Sequence, residues 1–477
     1  MFQKALFSVK SFYFLFAVLV AVFISTCFVF DGIGNGGDSV LHYLIAKYAP
    51  THPHLYFFHW GKPFFTLLAS AFAQFGFQGI KLFNTICTFS AIYFSYKLAQ
   101  HYSIKNAALL LLLVVLWPLT ISVNFTGLTE PLFACILIAS IYLIAIKKEI
   151  QGSFLISFLP FVRSEGLIIL LVLTIYFIIN RNKIALALLA AGHLLMSLAG
   201  VWVYKDILWV FTKIPYAYLN PIYGKGTWDH FFIQLNFMIG PIQYALLIIA
   251  VLSLCYQYKL SVVKQVFLNP KLFLIYLVFV AFFLAHTLFW TLGIFGSMGL
   301  TRVFYGIMPL MALIVLEGYN VVNLYIENHH KQGLKFIPIA IVAAMFVFPF
   351  LNNPASYNLK RDLLLSQEEQ LLKDSVCSYL KTNQSTPLLV ASDYRIPYFL
   401  EKDPFDSACY QSGRCFTKLK AQKVPFNYVW DNWFSEVEDQ IGLERLQVDS
   451  GFVCQQTYTI KQGNSENTFK IFKTITQ

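Results

Sequence analysis

The sequence predicts a polytopic α-helical membrane protein of about eleven membrane helices, two of them forming one broken pair, followed by a C-terminal soluble α/β domain. Three observations carry this reading. Of 477 residues, 57% are hydrophobic, 17% aromatic and only 12% charged, a balance far from that of a soluble domain. Apolar runs approaching the ~20 residues that cross a bilayer recur up to residue 351. After Asn352-Asn-Pro354 the composition changes, with charges every few residues and short strand-like runs.

The first run, residues 11–30, is too long and too evenly apolar for a signal-peptide core, and no small-x-small cleavage site follows it, so it is read as a retained span. Lys4 and Lys10 then hold the N-terminus inside. Further spans are expected at about 79–99, 107–123, 128–146, 184–203, 236–256, 272–293, 300–322 and 336–351. Between 152 and 180 the apolar stretch is too short for two full spans and is interrupted by Arg163-Ser-Glu165-Gly166, which reads as a broken or re-entrant pair.

Basic residues test this layout, because they accumulate on the cytoplasmic side of spans. The loops assigned inside carry Lys4, Lys10, Lys97, Lys105, Lys147, Lys148, Arg181, Lys183, Lys259, Lys264, Lys271, Lys331 and Lys335. Those assigned outside before residue 352 carry only Lys47, Lys62, Lys81, Lys205, Lys213, Lys225 and Arg302. The layout therefore gives a transmembrane domain over 1–351, with outer-face loops at 31–78 and 204–235, and an extracytoplasmic domain over 352–477. Residues 1–351 hold 21 basic against 9 acidic side chains and the tail 14 against 15, so the net +11 is topological charge, not a groove for nucleic acid.

The tail, roughly 125 residues, is large enough for its own core, and Pro387–Ala391 and Thr468–Phe472 look like its strands. Cys377, Cys409, Cys415 and Cys454 all fall there. In an oxidising compartment at least one disulfide is expected, with Cys409–Cys415 the first choice; four free buried thiols are the alternative. The spacing lacks a zinc CxxC signature.

A polar island, Asp31-Gly-Ile-Gly-Asn-Gly-Gly-Asp38-Ser39-Val-Leu-His42, comes directly after the first span. Downstream come Gly61-Lys62-Pro63-Phe64, Thr129-Glu130-Pro131-Leu132-Phe133, Arg163-Ser-Glu165-Gly166 and Gly296-Ser-Met-Gly-Leu-Thr-Arg302 before an apolar helix. Each motif is weak alone, but their order and sidedness resemble the GT-C superfamily of membrane glycosyltransferases, in the branch of protein O-mannosyltransferases and lipid A aminoarabinose transferases. The likeness covers residues 1–351.

That resemblance implies an enzyme, a hexosyl- or pentosyltransferase. It would take a sugar from a polyprenyl-phosphate carrier and give it to a glycan, lipid or protein acceptor, without metal or other cofactor. Such chemistry needs a carboxylate for the acceptor proton and cations for the leaving phosphate. Asp38 resembles the first acid of the family's Asp-Glu pair; Ser39 stands where the second acid belongs, and Asp31 is the candidate to replace it. Asp38 as a helix N-cap after Gly36-Gly37, and Asp31 as a simple interface residue, are the structural alternatives. Lys62 resembles the lysine of the family's Lys-Pro motif and is assigned with Arg302 and Arg163 to the donor phosphate. A snorkelling lysine and a helix-end anchor remain open for the first two.

Arg163 and Glu165 either neutralise one another or divide between phosphate and its orientation. Glu130, Glu165, His42, Trp228 and Asp229 complete the acceptor or sugar side; Glu130 is equally a helix N-terminal carboxylate, and Trp228 equally part of an interfacial belt. His42, His52, His54 and His59 crowd one loop without a metal-ligand spacing. Nucleotide hydrolysis, hydride transfer, serine hydrolysis and zincin chemistry lack their motifs. Two rivals stay: a lipid-linked glycan transporter or flippase, disfavoured by the lack of an internal repeat, and a glycan polymerase or ligase.

The expected location is a bacterial inner membrane with the tail in the periplasm, or the endoplasmic reticulum membrane in a eukaryote, where Asn383-Gln-Ser385 would accept a glycan. A C-terminal alkaline phosphatase fusion should be active and a green fluorescent fusion dark. The reverse result would overturn the layout and the sidedness of every residue assigned to the outer face.

Overall fold

The computed structural model describes residues 9–475 apart from 35, 216–222, 329–335, 352, 354–356, 384–387 and 463–464. Lys4, Lys331, Lys335, Pro387, the boundary residues Asn352 and Pro354, and Gln384 and Ser385 of the glycosylation motif lie outside the described residues.

The chain is mostly helical. Among the described residues, five helical segments are long and apolar enough to cross a membrane: Val9–Val29, Lys183–Tyr204, Pro241–Leu268, Leu272–Leu292 and Thr301–Asn328. Shorter apolar helices stand among them, including Pro63–Ala73 and Ile337–Phe350. Expected single spans divide where the backbone demands it. The run at 107–123 becomes Leu109–Val115 and Pro118–Asn124, because Pro118 opens a new first turn at the site of its missing N–H. The run at 236–256 breaks at Gly240, ahead of Pro241. The interrupted stretch at 152–180 is indeed broken, into Glu149–Ile156, a turn at Leu159–Phe161 and Gly166–Ile179.

Six helices position the site: α1 (Val9–Val29), α2 (Gly37–Tyr48), α3 (Gly76–His101), α4 (Glu130–Ala145), α5 (Gly166–Ile179) and α6 (Met308–Asn328). α3 is the central strut. Phe12 of α1 stacks on its Tyr96 at 3.8 Å between ring centroids. Its buried Lys81 donates to the Phe30 carbonyl, 2.8 Å away, just past the end of α1. Asn84 donates to the carbonyls of Thr126 and Leu128 at 2.7 and 2.9 Å, fixing the turn that feeds α4.

The C-terminal part folds around a five-stranded sheet of β1 (Leu389–Ala391), β2 (Tyr410–Ser412), β3 (Asn427–Asp431), β4 (Phe452–Gln462) and β5 (Ser465–Thr474) in the order β2-β1-β3-β5-β4. β1 runs parallel to β2 and β3, and β5 is antiparallel to β3 and β4. Strand alternation sorts two apolar layers. Leu389, Ala391, Val429, Phe469 and Ile471 face Leu372, Val376 and Ile396, whereas Val390, Tyr428, Trp430 and Phe472 face Phe416, Leu419 and Leu446.

The expected disulfide is absent. All eight cysteines are free. Cys377 is buried with its thiol toward the Ile396 carbonyl, Cys409 bonds to Asp406, and Cys454 sits exposed on the sheet's outermost strand. Two well-packed layers stabilise the sheet, and the cysteines are dispersed by the packing instead of being brought together.

Helix packing in the membrane-type part relies on close backbone approach. A Cβ at Gly318 of α6 would collide with the Leu246 carbonyl oxygen. Gly318→Val should therefore cost about 1–3 kcal/mol by overpacking and lower the melting temperature in detergent. Gly442→Ala, where a Cβ meets nothing within 4 Å, should leave it unchanged. Equal melting of the two variants would refute the close contact.

Candidate active site

The polar island is held in place by Ser39. Ser39 Oγ donates to the Ile33 carbonyl at 2.6 Å and accepts from the Gly127 N–H at 2.7 Å, tying the loop before α2 to the turn before α4. The residue standing where a second acid belongs is thus a buried clamp. α2 starts at Gly37 with Gly36 as its cap, so Asp38 is a first-turn residue and not the N-cap.

The clamp brings the start of α2 to the start of α4, and two arginines link the acids that gather there. Arg302, in the turn Thr301–Ile307, pairs with Asp38 and lies 3.6 Å from Glu130. Arg163, in the break before α5, reaches Glu130 at 2.7 Å and Glu165 at 2.8 Å. The result is a chain of alternating charge: Asp38, Arg302, Glu130, Arg163, Glu165. Glu130, the middle member, is fully buried at the first position of α4, and Asp38, at one end, keeps 37% of its side-chain surface accessible. Buried ions are tolerated in this arrangement because each is paired.

Lys62 stands near enough that its charge acts on His42 and Glu165. It occupies a sparsely populated backbone conformation for a non-glycine residue, φ 60° and ψ 95°, between the turn His59–Gly61 and the helix opened by Pro63. The Thr66 hydroxyl, donating to the Gly61 carbonyl at 2.8 Å, and the Thr66 N–H, donating to the Lys62 carbonyl at 2.9 Å, pin that turn.

His42 lies one turn after Asp38, buried, with Nδ1 lacking a hydrogen-bond partner among the described residues. Burial pushes its pKa down to about 3 against the opposing pull of Asp38, so the ring is neutral. For Asp38 burial acts upward, but the Arg302 guanidinium, together with the charges nearby, overcomes it and holds the carboxyl below its ordinary range.

Seven residues expected from the sequence therefore meet: Asp38, His42, Lys62, Glu130, Arg163, Glu165 and Arg302. Three do not. Asp31 is exposed beside Lys81 and Tyr398. Trp228 is 69% exposed, its ring against Phe232. Asp229 occupies the cap position of His230–Ile239 without a side-chain cap bond. Of the other histidines, His59 bonds the Trp209 carbonyl and His52 bonds Asp403.

Three neighbours were not expected. His286 is buried, with Nε2 lacking a hydrogen-bond partner among the described residues, and it is close enough to interact with Glu165 and Arg163. Its sequence signal is an ionisable residue inside an apolar run, which is a functional pointer by itself. Tyr223 and Glu438 hydrogen bond to one another within electrostatic reach of Asp38. No local pattern marks either.

No family model matches the sequence, and no curated protein matches it. Among solved structures, the crystal structure of ArnT from Cupriavidus metallidurans bound to undecaprenyl phosphate superposes with a TM-score of 0.61 at 10% identity, covering 97% of this chain and 98% of that one. At that identity the likeness speaks for the fold alone, which this chain shares with ArnT.

The neutral His42 gives a signed expectation. Its native pKa lies below the ordinary 6.5, so the unfolded chain binds its proton first; the stability contribution is present above about 6.5 and is lost as pH falls toward 3. Thermal stability in detergent should drop between pH 7 and 5, and His42→Gln should flatten that drop. An unchanged slope would mean that His42 is not buried neutral.

Proposed function

We propose that this chain, having the GT-C fold, is a glycosyltransferase that moves a sugar from a polyprenyl-phosphate-linked donor to an acceptor on the outer face of the membrane. The supporting observation is the alternating charge chain whose accessible end is Asp38. In the related fold, ArnT is bound to undecaprenyl phosphate, and a phosphate of that kind has natural partners here in Arg302, Arg163 and Lys62. The setting is a multi-pass protein of about eleven membrane helices, with residues 352–477 as an extracytoplasmic domain.

In the reaction the acceptor oxygen or nitrogen attacks the anomeric carbon, the bond from that carbon to phosphate oxygen breaks, and polyprenyl phosphate leaves with its charge held by the arginines. Asp38 takes the acceptor proton. A carboxylate held down by Arg302 is a weak base, so geometry alone does not suffice. The donor phosphate solves this by competing for Arg302. As the guanidinium turns to phosphate, Asp38 loses its cation and becomes more basic when the donor is in place. Its negative charge also stabilises the positive character growing at the anomeric carbon.

Glu130, with Glu165 on Arg163, keeps the two arginines oriented, so the only movement asked of the cations is the exchange of Asp38 for phosphate at Arg302. Displacement is metal-independent in this scheme. A transporter or flippase of lipid-linked glycans would use the same cations without Asp38 chemistry, and a polymerase or ligase would differ only in the size of the donor.

Asp38→Asn should lower the rate of sugar transfer from polyprenyl-phosphate sugar about 10²-fold or more while leaving undecaprenyl phosphate binding intact, as expected for a group acting in the transition state. Near-normal transfer in that variant would remove Asp38 from the chemistry. Absence of transfer by the unaltered protein, with movement of the lipid-linked sugar across a bilayer, would favour the transporter.

A further inference from the structure

The C-terminal sheet unit approaches the candidate site with a short segment, Phe434–Glu438, shortly after β3. Asp431, the last residue of β3, builds that segment. Its Oδ1 accepts from the N–H groups of Trp433 and Phe434 at 3.0 and 2.6 Å, and its Oδ2 from the Ser435 hydroxyl at 3.1 Å.

Both ends of the segment are then fixed. The Phe434 ring rests on Gly37, 3.0 Å from where a Cβ would stand, with the Arg395 guanidinium 5.7 Å over its face. Arg395 is itself locked by Asp393 at 2.7 Å and Glu368 at 2.6 Å, and it packs against Gly36. At the far end Asp439 takes the Arg414 Nε at 2.7 Å. Glu438 lies between these anchors. Its carboxylate hydrogen bonds the Tyr223 hydroxyl from the loop before His230–Ile239, and it shares the neighbourhood of Asp38, one residue beyond the Gly37 on which Phe434 sits.

Asp431 and Asp439 anchor the segment, and the Glu438 carboxylate, hydrogen bonded locally to Trp433, also lies within reach of Tyr223 and Asp38. We propose that Glu438 is a positioning residue of this site, which with Asp38 holds a hydrogen-bond-donating acceptor, a neutral or amino glycoside, and turns away an anionic one. The inference rests on the transferase reading. It sorts the site by charge: Arg302, Arg163 and Lys62 on the side of the leaving phosphate, and two carboxylates with a tyrosine on the side of the incoming acceptor. A hydroxyl or ammonium placed between two carboxylates donates to both, whereas a carboxylate or phosphate there meets like charge in a poorly solvated space. Burial and then the charge of Asp38 raise the Glu438 pKa, against the hydrogen bond from Trp433 and the charge of Arg414, as expected of two acids near one another.

The test uses the full-length protein in nanodiscs with methyl α-glucoside, methyl α-glucosaminide and methyl α-glucuronide as acceptor-side probes, and undecaprenyl phosphate as the phosphate-side probe. The unaltered protein should bind the first two about tenfold more tightly than the glucuronide, the order expected for one like-charge contact. Glu438→Gln should largely erase that preference while leaving undecaprenyl phosphate affinity unchanged, and Glu438→Asp should restore part of it. Tyr223→Phe, which leaves the sheet unit untouched, should weaken the preference in the same direction if Glu438→Gln does not fold. Full preference in Glu438→Gln, or no preference in the unaltered protein, would overturn the assignment. Loss of undecaprenyl phosphate binding and of transfer in the unaltered protein, with the Glu438-dependent preference intact, would instead overturn the transferase reading and leave Glu438 as a determinant of glycoside binding.

Discussion

The structure around the site depends on one burial problem, a carboxylate with no solvent exposure at the start of α4. Glu130 is accommodated because Arg163 reaches it from the break before α5 and Arg302 approaches it from the turn before α6. An ion taken out of water is costly, and the close pair with Arg163 at 2.7 Å, supported by Arg302 at 3.6 Å, offsets that cost. Three separated stretches of chain are therefore bound to one another by charge. Arg163 comes from the break between the turn Leu159–Phe161 and α5, where the ionisable pair Arg163 and Glu165 interrupts an apolar stretch.

The glycine-rich island has a second use that its composition hides. Gly32 donates to the Leu363 carbonyl at 2.9 Å, and a Cβ there would lie 2.5 Å from that oxygen. Gly37 receives Phe434 in the same way. The strip between α1 and α2 is thus the seat of the C-terminal unit as well as the entry to Asp38. Docking the sheet and shaping the site are one event, and the acid at 38 is oriented by both sides of the contact.

Fixed, alternating charge also makes the site responsive. Asp38 and Arg302 satisfy one another in the ligand-free arrangement, so the carboxylate is stored as a weak base and the guanidinium as an occupied cation. In the proposed reaction an incoming phosphate takes Arg302 from Asp38, and the carboxylate thus freed is the most accessible member of the chain, with 37% of its side-chain surface exposed, so its loss of a partner is the least costly of the five. Preorganisation by Glu130 and Glu165 confines movement to the accessible end of the chain.

By itself the sequence determined the helical membrane character, the break at Arg163-Ser-Glu165, the strand-like runs at 387–391 and 468–472 that overlap β1 and β5, and most of the charged residues that meet at the site. These are legible because ionisable groups are scarce in apolar surroundings, so each one stands out, and because periodicity and prolines act locally. Only the tertiary structure decided the rest. It turned Ser39 from a missing acid into a clamp, sent Asp31 to Lys81 instead of the ion-pair chain, and dispersed the tail cysteines. It also brought His286, Tyr223 and Glu438 to residues far away in the chain. Those outcomes depend on which backbone segments approach one another, a property of packing between distant elements that no local pattern of residues encodes.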